Sequence, residues 1–452
     1  MKLKVRMNSP VLIRICAFSC LAAIFALASL VCSRNITAAK RNAARVAPPP
    51  KDAAMSADTS IQLIRPSDGG HVPIPASFFG LTVLHLNQGW PSIPFGALGK
   101  NGAPGEWISV EKRKGQFDWK ELDRYTEAAE SHGMGFFFSS GFVPEWAAEN
   151  KSSCKQANFN PEVSMCTSMV ANIRDWDNFV TALATRYKGK IHIYDLWNEP
   201  WNENIFTGSV PDMVTLTTHM HDIIRSIDPS AVIVAPAPTP HRWLEGYLAA
   251  GGVRSVDAFS VHGYTTNMDL DTPEVSQAWK SEPLKAILAK YGLADKPIWD
   301  TEGSWGNQAR RAIKDPDLQA AFVARAYLLH WAAGITRYYW YAWDEPNWGT
   351  LWDRETGLRK PGVAYEQIYQ WMVGATMTRL CSERGGDTWT CEFSRPGGYV
   401  AEAVWNTSGN QHYSAPSKYS QFRDLDGNTV KVSSGSVEIG LKPILLENFS
   451  PR

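Results

Sequence analysis

Residues 191–200 read Ile-His-Ile-Tyr-Asp-Leu-Trp-Asn-Glu-Pro, an apolar run that ends in polar and turn-forming residues. A second run, Ala231-Val-Ile-Val-Ala235, is apolar at every position. Short continuous apolar runs are typical of strands buried on both faces, as in parallel sheets that are covered by helices. Residues 191–197 are therefore predicted to form a buried strand whose C-terminal end presents Asn198 and Glu199.

Apolar runs of this kind alternate along the chain with segments of helical period. The strand candidates are residues 78–86, 107–110 (a weak one), 135–142, 191–197, 231–235, 256–261, 297–301 and 337–343. The helix candidates include residues 119–132, 173–187, 212–227, 276–291 and 317–333, with Asp118 and Asp315 as N-caps. Eight alternations of strand and helix predict a (β/α)8 TIM barrel.

The helical pattern stops near residue 377, and short alternating segments with Gly-Gly, Pro-Gly-Gly and Asp-Gly turns follow. This pattern predicts a small C-terminal β-sandwich. Residues 34–59, rich in Ala, Arg and Pro, predict a flexible linker. The predicted domains are an export signal or membrane anchor at 1–33, the linker at 34–59, the barrel at 60–376 and the β-sandwich at 377–452.

Basic residues followed by an apolar stretch over residues 11–31 have the layout of an export signal. The stretch is nearly long enough to span a bilayer, so cleavage and retention as an anchor both stay open. We expect a secreted or periplasmic protein. Four cysteines remain after the signal, and an even number indicates disulfides. Of three possible pairings, Cys154 with Cys166 and Cys381 with Cys391 are favoured because they close short loops.

The chain has 45 basic and 45 acidic residues, and the first 50 positions hold eight basic and no acidic ones. The remainder is therefore mildly acidic, which argues against a nucleic-acid partner. The cysteines lack the close paired spacing of a zinc site. We expect no metal, no cofactor and a monomeric protein. The 19 tryptophans exceed what filling a core requires, so some are expected to line a binding surface.

Two glutamates follow predicted strands of the barrel, Glu199 after the fourth and Glu302 at the end of Pro297-Ile-Trp-Asp-Thr-Glu302. Carboxyl groups at the C-terminal ends of barrel strands point into one crevice. Two carboxyl groups about 5 Å apart can cleave a glycosidic bond with retention, and the charge of the nucleophile is expected to raise the pKa of the acid. Glu145 and Glu345 also follow predicted strands and stay open as less favoured alternatives.

These motifs resemble clan A of the glycoside hydrolases and are most similar to glycoside hydrolase family 39 and its relatives, as is Gly115-Gln-Phe-Asp-Trp119. The resemblance implies a retaining double displacement, with Glu199 as acid/base and Glu302 as nucleophile. It also implies that Asn198 binds a sugar hydroxyl, and that Tyr264, in Val261-His-Gly-Tyr264, holds the nucleophile. Further candidates for binding a poly- or oligosaccharide are His262, Trp343, His85, Trp146 and Trp305, with Trp201 and Trp348; Trp343 is equally compatible with a core position.

The resemblance also implies an arginine at the end of the second strand, where this chain has Ala97-Leu98-Gly99-Lys100. A lysine lacks the planar fork of an arginine. Two hypotheses therefore stay open, a retaining hydrolase of an extracytoplasmic glycan and a catalytically weak or inactive glycan-binding member of a polysaccharide assembly or export system. A serine esterase or metal-dependent hydrolase is disfavoured because Gly-x-Ser-x-Gly and His-Glu-x-x-His are absent from the sequence.

Overall fold

The structure of the protein is a computed structural model. It describes residues 61, 63–66, 72–100, 106–157, 160–237, 241–264, 273–274, 281–306, 313–345, 347–433 and 435–449. The predicted export segment and the whole of the predicted linker lie outside these ranges. Within them, none of the helices combines the length and apolar character that crossing a bilayer requires.

Eight parallel strands form one sheet in the order β7-β6-β3-β2-β1-β10-β9-β8. A parallel bridge between Val234 and Ala258 joins β7 to the residue before β8, so the sheet closes into the predicted barrel. Its strands are β1 (Phe79–Thr82), β2 (Ala97–Lys100), β3 (Gly135–Ser139), β6 (Ile193–Asp195), β7 (Val232–Val234), β8 (Phe259–Val261), β9 (Ile298–Gly303) and β10 (Ile335–Trp340). Strands β4 (Cys154–Ala157) and β5 (Asn160–Cys166) form a hairpin after β3.

The prediction of a strand at residues 107–110 is wrong. These residues form the one-turn helix α1 (Trp107–Val110), and the second barrel strand is β2, which pairs with β1 and β3. A segment of four residues, three of them apolar, is too short for periodicity to separate strand from helix. The helical spacing lets Trp107 donate from Nε1 to Glu111 Oε2, four residues on, at 2.7 Å.

The five predicted helices are present, with described ends within two residues of the predicted ones; residues 276–280 of the fourth candidate lie outside the described residues. Asp315 caps its helix as predicted, since its side chain accepts from the backbone N–H of Asp317; Asp118 lies one residue before the N-cap Trp119. Helices α5 and α8 were not among the candidates. The remaining helices are α2 (Lys120–Ser131), α3 (Ile173–Arg186), α4 (Val210–Ile227), α5 (His241–Ala249), α6 (Ser281–Lys290), α7 (Pro316–Ala332) and α8 (Lys360–Met372).

Antiparallel strands follow the barrel and form the predicted β-sandwich. One sheet has the order β13-β14-β15-β20-β17-β18, and a second pairs β16 with β19. Both favoured disulfides are present: Cys154–Cys166 joins β4 to β5, and Cys381–Cys391 joins β13 to β14. After the short pair β11 (Trp352–Asp353) and β12 (Gly357–Leu358), the strands are β13 (Thr376–Glu383), β14 (Thr388–Arg395), β15 (Tyr399–Asn406), β16 (Gln411–Ser414), β17 (Gln421–Arg423), β18 (Thr429–Lys431), β19 (Ser436–Ile439) and β20 (Ile444–Glu447).

A buried ion pair lies where the barrel meets the β-sandwich. Arg325 of α7 donates from Nε to Glu274 Oε1 at 2.6 Å, and the side chains are 5% and 3% exposed. Trp405 of β15 donates from Nε1 to the same oxygen at 2.7 Å. One carboxylate therefore satisfies buried donors from both parts of the chain.

Replacing this carboxylate, Glu274→Ala, is expected to lower the free energy of unfolding by about 3–5 kcal/mol, because it leaves the Arg325 guanidinium buried without a counter-charge. Denaturant unfolding followed by circular dichroism measures the change. Glu282→Ala, which removes an exposed ion pair with Lys285, is the control and should cost about 0–1 kcal/mol. Equal effects of the two substitutions would contradict this account.

Candidate active site

Glu199 lies in the turn after β6, with a backbone φ of 39°. This left-handed conformation is uncommon for a residue other than glycine and costs on the order of 1–3 kcal/mol. A hydrogen bond to the neighbouring strand end holds the turn in place: Asn198 donates its backbone N–H to Ser140 O, just beyond β3, at 2.7 Å. Backbone strain of this kind clusters at functional sites, and here it occurs at the residue predicted to be catalytic.

Glu302 lies in a β-bulge near the end of β9. Tyr338 of β10 pairs with Asp300, whereas Trp340, two residues on, pairs with Gly303, three residues on. The strand β9 thus carries one extra residue at this point. A bulge re-aims side chains and disrupts the local ladder of hydrogen bonds, and this one contains Glu302.

His262 lies between the two glutamates, directly after β8. It donates from Nδ1 to Glu199 Oε1 at 2.8 Å, and the same nitrogen is 3.8 Å from Glu302 Oε2. One nitrogen of the histidine and one oxygen of each carboxylate all lie within 4.8 Å of one another. The two carboxyl groups therefore lie side by side, consistent with the separation of about 5 Å that the sequence predicts.

The charge distribution differs from the expected one. Burial disfavours the charged imidazole, but Glu302 and the hydrogen-bonded Glu199 outweigh it and raise the pKa of His262 to about 9. Burial also favours a protonated Glu199, yet the hydrogen bond and charge of His262 leave the pKa of this carboxyl lowered. The pKa of Glu199 is thus lowered, not raised as expected from the sequence, because His262 donates a hydrogen bond to this carboxyl and its charge favours the carboxylate.

Tyr264 holds the second glutamate, donating its hydroxyl to Glu302 Oε1 at 2.5 Å. Burial, followed by the charge of Glu302, raises the pKa of this phenol well above its ordinary value, so it remains a neutral donor. Its ring packs against Trp348 at 5.0 Å and Tyr341 at 6.3 Å. An aromatic wall therefore lies directly beside Glu302.

The other residues predicted to contact the sugar differ in burial and in their partners. Asn198 Oδ1, next to Glu199, is buried and has no hydrogen-bond partner in the described structure. The side chain of His85 is 44% exposed and lies 3.4 Å from Asp344. Trp146 donates from Nε1 to Glu111 O, against helix α1, and no described contact joins it to the glutamate pair.

Two of the predicted aromatic contacts belong to the core. Trp305 is predicted to bind the sugar, but the structure places it in the core. It is 0% exposed and packs edge-on against Phe322 and Trp340, so it cannot contact a sugar in this structure. Trp343 is 4% exposed and stacks on Trp352, which favours the core position left open above. The apolar character that makes tryptophan a good sugar platform also makes it a good core residue.

The rival glutamates lie apart from this pair. Glu145 is exposed and accepts from Ser164 of the β4–β5 hairpin at 2.9 Å. Glu345 accepts from the backbone and side chain of Asn347. Neither belongs to the described group formed by Glu199, His262 and Glu302.

The packing around strand β2 explains why its end has no arginine. A Cβ on Gly99 would lie 2.9 Å from the ring of Tyr339, which fills the barrel interior together with Ala97 and Phe137. Lys100 is 2% exposed, and its Nζ lies 5.3 Å from the centre of the Tyr125 ring on α2. Burial lowers its pKa to about 8. Lys100 is thus buried against Tyr125, and no described ion pair joins it to Glu199 or Glu302.

Sequence reasoning missed two carboxylates beneath the pair. Asp195 is 0% exposed and accepts from Ser139 Oγ at 2.7 Å; burial raises its pKa to about 7. Asp300 is also 0% exposed and pairs with His330 at 2.8 Å. The missed signal was a charged residue inside an otherwise apolar strand, which needs a partner to be buried.

The cluster of Glu199, His262 and Glu302 could also offer three ligand atoms to a metal ion. In this structure those atoms already interact with one another through protons: the imidazole donates to Glu199, and the Tyr264 hydroxyl donates to Glu302. The site is thus a pair of carboxyl groups with one shared histidine between them.

Known proteins share a sequence pattern and the fold with this chain. Residues 99–341, more than half of the chain, match the sequence profile described as glycosyl hydrolases family 39. A family 39 glycoside hydrolase from Bacteroides cellulosilyticus has a similar fold, with 17% identity, a TM-score of 0.63 and coverage of 85% of this chain and 82% of that one. A family 39 β-xylosidase from Caulobacter crescentus has 15% identity and a TM-score of 0.60, covering 83% and 97%.

The imidazole of His262 is expected to titrate near pH 9 in the intact protein, and at lower pH in Glu199→Gln, because one of the carboxylates that oppose the burial penalty is then neutral. Nitrogen-15 NMR of labelled histidine measures both midpoints. Glu145→Gln, which changes an exposed glutamate, should leave the midpoint unchanged. An identical midpoint in Glu199→Gln and the intact protein would disprove the pairing.

Proposed function

Because the chain belongs to glycosyl hydrolase family 39 and is therefore a glycosidase, we propose that it is a retaining enzyme with Glu302 as nucleophile and Glu199 as acid/base. The observation that carries this proposal is the clustering of both carboxylates around His262 within 4.8 Å. Retaining enzymes place their carboxyl groups about 5–5.5 Å apart, whereas inverting enzymes need roughly 6.5–9.5 Å.

In the first half of the proposed reaction, the carboxylate of Glu302 attacks the anomeric carbon of the sugar. The bond from that carbon to the leaving oxygen breaks, and this oxygen takes a proton from Glu199. Glu199 obtains its proton from His262 along the 2.8 Å hydrogen bond. Tyr264, bonded to the other oxygen of Glu302, holds the nucleophile in place and keeps one of its oxygens oriented for attack.

In the second half, Glu199 acts as the base. It takes a proton from a water molecule as that water attacks the anomeric carbon, and the bond to Glu302 breaks. The sugar is released with its original anomeric configuration, and the proton returns to the pair formed by Glu199 and His262. The enzyme thereby regains its starting charge without any cofactor.

The proposed substrate is an extracytoplasmic poly- or oligosaccharide with a β or other equatorial linkage. Asn198 Oδ1, buried beside Glu199 without a partner, supports contact with a sugar hydroxyl, and Trp348 beside Tyr264 supports stacking on a sugar face. The disulfides indicate an oxidising compartment outside the cytoplasm. The segment at residues 11–31 is proposed to direct export, either cleaved or retained as an anchor.

Glu302→Gln is expected to reduce hydrolysis of aryl glycosides to background, because an amide cannot form the glycosyl ester. Glu199→Gln should lower kcat by about 10²–10⁴-fold, with the smaller loss on substrates such as dinitrophenyl glycosides whose leaving group needs no proton. Steady-state kinetics on a panel of aryl glycosides, including xylosides and glucosides, measures both effects.

Glu145→Gln is the matched control, since Glu145 also follows a barrel strand but lies apart from the pair; its kcat should equal that of the intact enzyme. Proton NMR of the first product should show the anomer of the substrate. Full activity in both Glu199→Gln and Glu302→Gln would refute the proposal. Binding of a glycan by the intact protein without turnover across the panel would instead favour the inactive, glycan-binding alternative.

The pH profile should report the proton on His262. Activity is expected to fall on the alkaline side near pH 9, where this histidine, with its pKa raised to about 9, loses its proton. In His262→Asn the proton must reside on Glu199 itself, a carboxyl whose pKa only burial raises, so the alkaline limb of kcat/KM should move to lower pH. An alkaline limb at the same pH in both enzymes would show that His262 does not supply the proton.

A further inference from the structure

We propose that Asp300 is a positioning residue for the reaction. With the support of His330 and Gly303, its carboxylate sets the position of Glu302, His262 and Tyr264. This inference rests on the proposed function of Glu302. Asp300 lies in β9 two residues before the nucleophile and is 0% exposed. Its carboxylate accepts hydrogen bonds from the backbone at the ends of both β8 and β9.

The first observation is the bulge in β9. The extra residue between the pairs Tyr338–Asp300 and Trp340–Gly303 takes a backbone N–H out of the regular ladder with β10. A buried N–H without an acceptor is costly. Asp300 Oδ1 accepts the N–H of Glu302 at 3.2 Å, so this carboxylate stabilises the bulge that aims the nucleophile.

The second observation is that the same oxygen reaches the neighbouring strand. Asp300 Oδ1 also accepts the N–H of Gly263 at 3.2 Å. Gly263 is the central residue of His262-Gly263-Tyr264, the segment that supplies the imidazole to Glu199 and the hydroxyl to Glu302. One carboxylate oxygen therefore fixes the backbone on both sides of the contact between Tyr264 and the nucleophile.

The third observation is how Asp300 is itself held. Its Oδ2 lies 2.8 Å from Nε2 of His330, a 1% exposed residue of α7. His330 Nδ1 donates to Ala326 O at 2.7 Å, and the ring stacks on Tyr338 at 3.9 Å. His330 thus provides a hydrogen-bond partner for the second oxygen of a carboxylate that is fully buried beneath the site.

The fourth observation concerns Gly303, directly after the nucleophile. A Cβ at this position would lie 2.9 Å from Asp300 Oδ2 and 3.1 Å from Oδ1. Glycine at 303 therefore leaves the space that the carboxylate of Asp300 occupies. A Cβ would also lie 2.9 Å from Cε2 of Tyr338, so the glycine next to Glu302 is explained by Asp300 together with this ring.

The test compares Asp300→Ala with Asp300→Asn in kcat and KM for an aryl glycoside that the intact enzyme hydrolyses. Asp300→Ala removes the acceptor of both backbone N–H groups, so kcat should fall by about 100-fold, the scale of a misplacement of about 1 Å, with KM little changed. Asp300→Asn keeps an oxygen at Oδ1 and should restore most of kcat. Gly303→Ala, which displaces the carboxylate, should lower kcat as Asp300→Ala does.

Asp257→Ala is the matched control. Asp257 accepts the N–H of Ile233 at 2.8 Å and pairs with Arg225 of α4, so it resembles Asp300 but lies before β8, at the opposite end of the barrel. Its loss should reduce stability without changing kcat per folded molecule. The burst of phenolate from a dinitrophenyl glycoside counts active molecules, so that unfolded protein does not enter the comparison.

Asp300→Ala with a kcat equal to that of Asp257→Ala, per active molecule, would overturn the inference, as would an inactive Asp300→Asn beside an inactive Asp300→Ala. If Asp300→Ala does not fold, Gly303→Ala decides: full kcat in this variant overturns the proposal. Glu302→Gln is assayed in parallel. Activity in Glu302→Gln would refute the proposed function itself, whereas an inactive Glu302→Gln beside a fully active Asp300→Ala would refute only this inference.

Discussion

The charge on His262 is the feature on which the site depends. An imidazolium that is 3% exposed pays a large desolvation penalty, and two carboxylates must compensate it. Those carboxylates in turn would repel each other at a separation within 4.8 Å if no cation lay between them. The three groups are therefore interdependent: each is stable in its charged form only while the other two remain in place.

The barrel brings the three groups together through the order of its strands. Glu199 follows β6, His262 follows β8 and Glu302 lies at the end of β9, and these strands fall within four consecutive positions, β6-β7-β8-β9, once β7 and β8 close the sheet. Their parallel direction places all three side chains at one end of the barrel. The bulge in β9 then supplies the fine adjustment, because regular pairing alone would fix the direction of Glu302 by strand alternation.

This explains how much of the site the sequence could predict. The positions of Glu199 and Glu302 were predictable because a polar residue after a buried strand must lie at a barrel end. The parallel direction of the strands then brings both residues to the same end. The lowered pKa of Glu199 was not predictable, because it depends on a 2.8 Å contact with His262 that no spacing encodes. Residues 107–110 and Trp305 were misassigned for a related reason: short apolar segments suit a strand, a helix or a core equally, and only the tertiary packing decides between them.

The packing around Gly99 in the barrel interior affects which charged side chains lie beside Glu302. The ring of Tyr339 lies against both Gly80 and Gly99, where a Cβ would approach it to 2.6 and 2.9 Å, so the side chain of Tyr339 takes the interior space that strand β2 would otherwise fill. With Lys100 directed onto Tyr125, the described part of β2 places no cation beside Glu302. Among the described residues, the positive charge nearest this carboxylate is instead that of His262, 3.8 Å away. A histidine, unlike an arginine, can give up its proton. In the proposed mechanism, the same residue therefore offsets the charge of Glu302 at rest and supplies the proton when the glycosidic bond breaks.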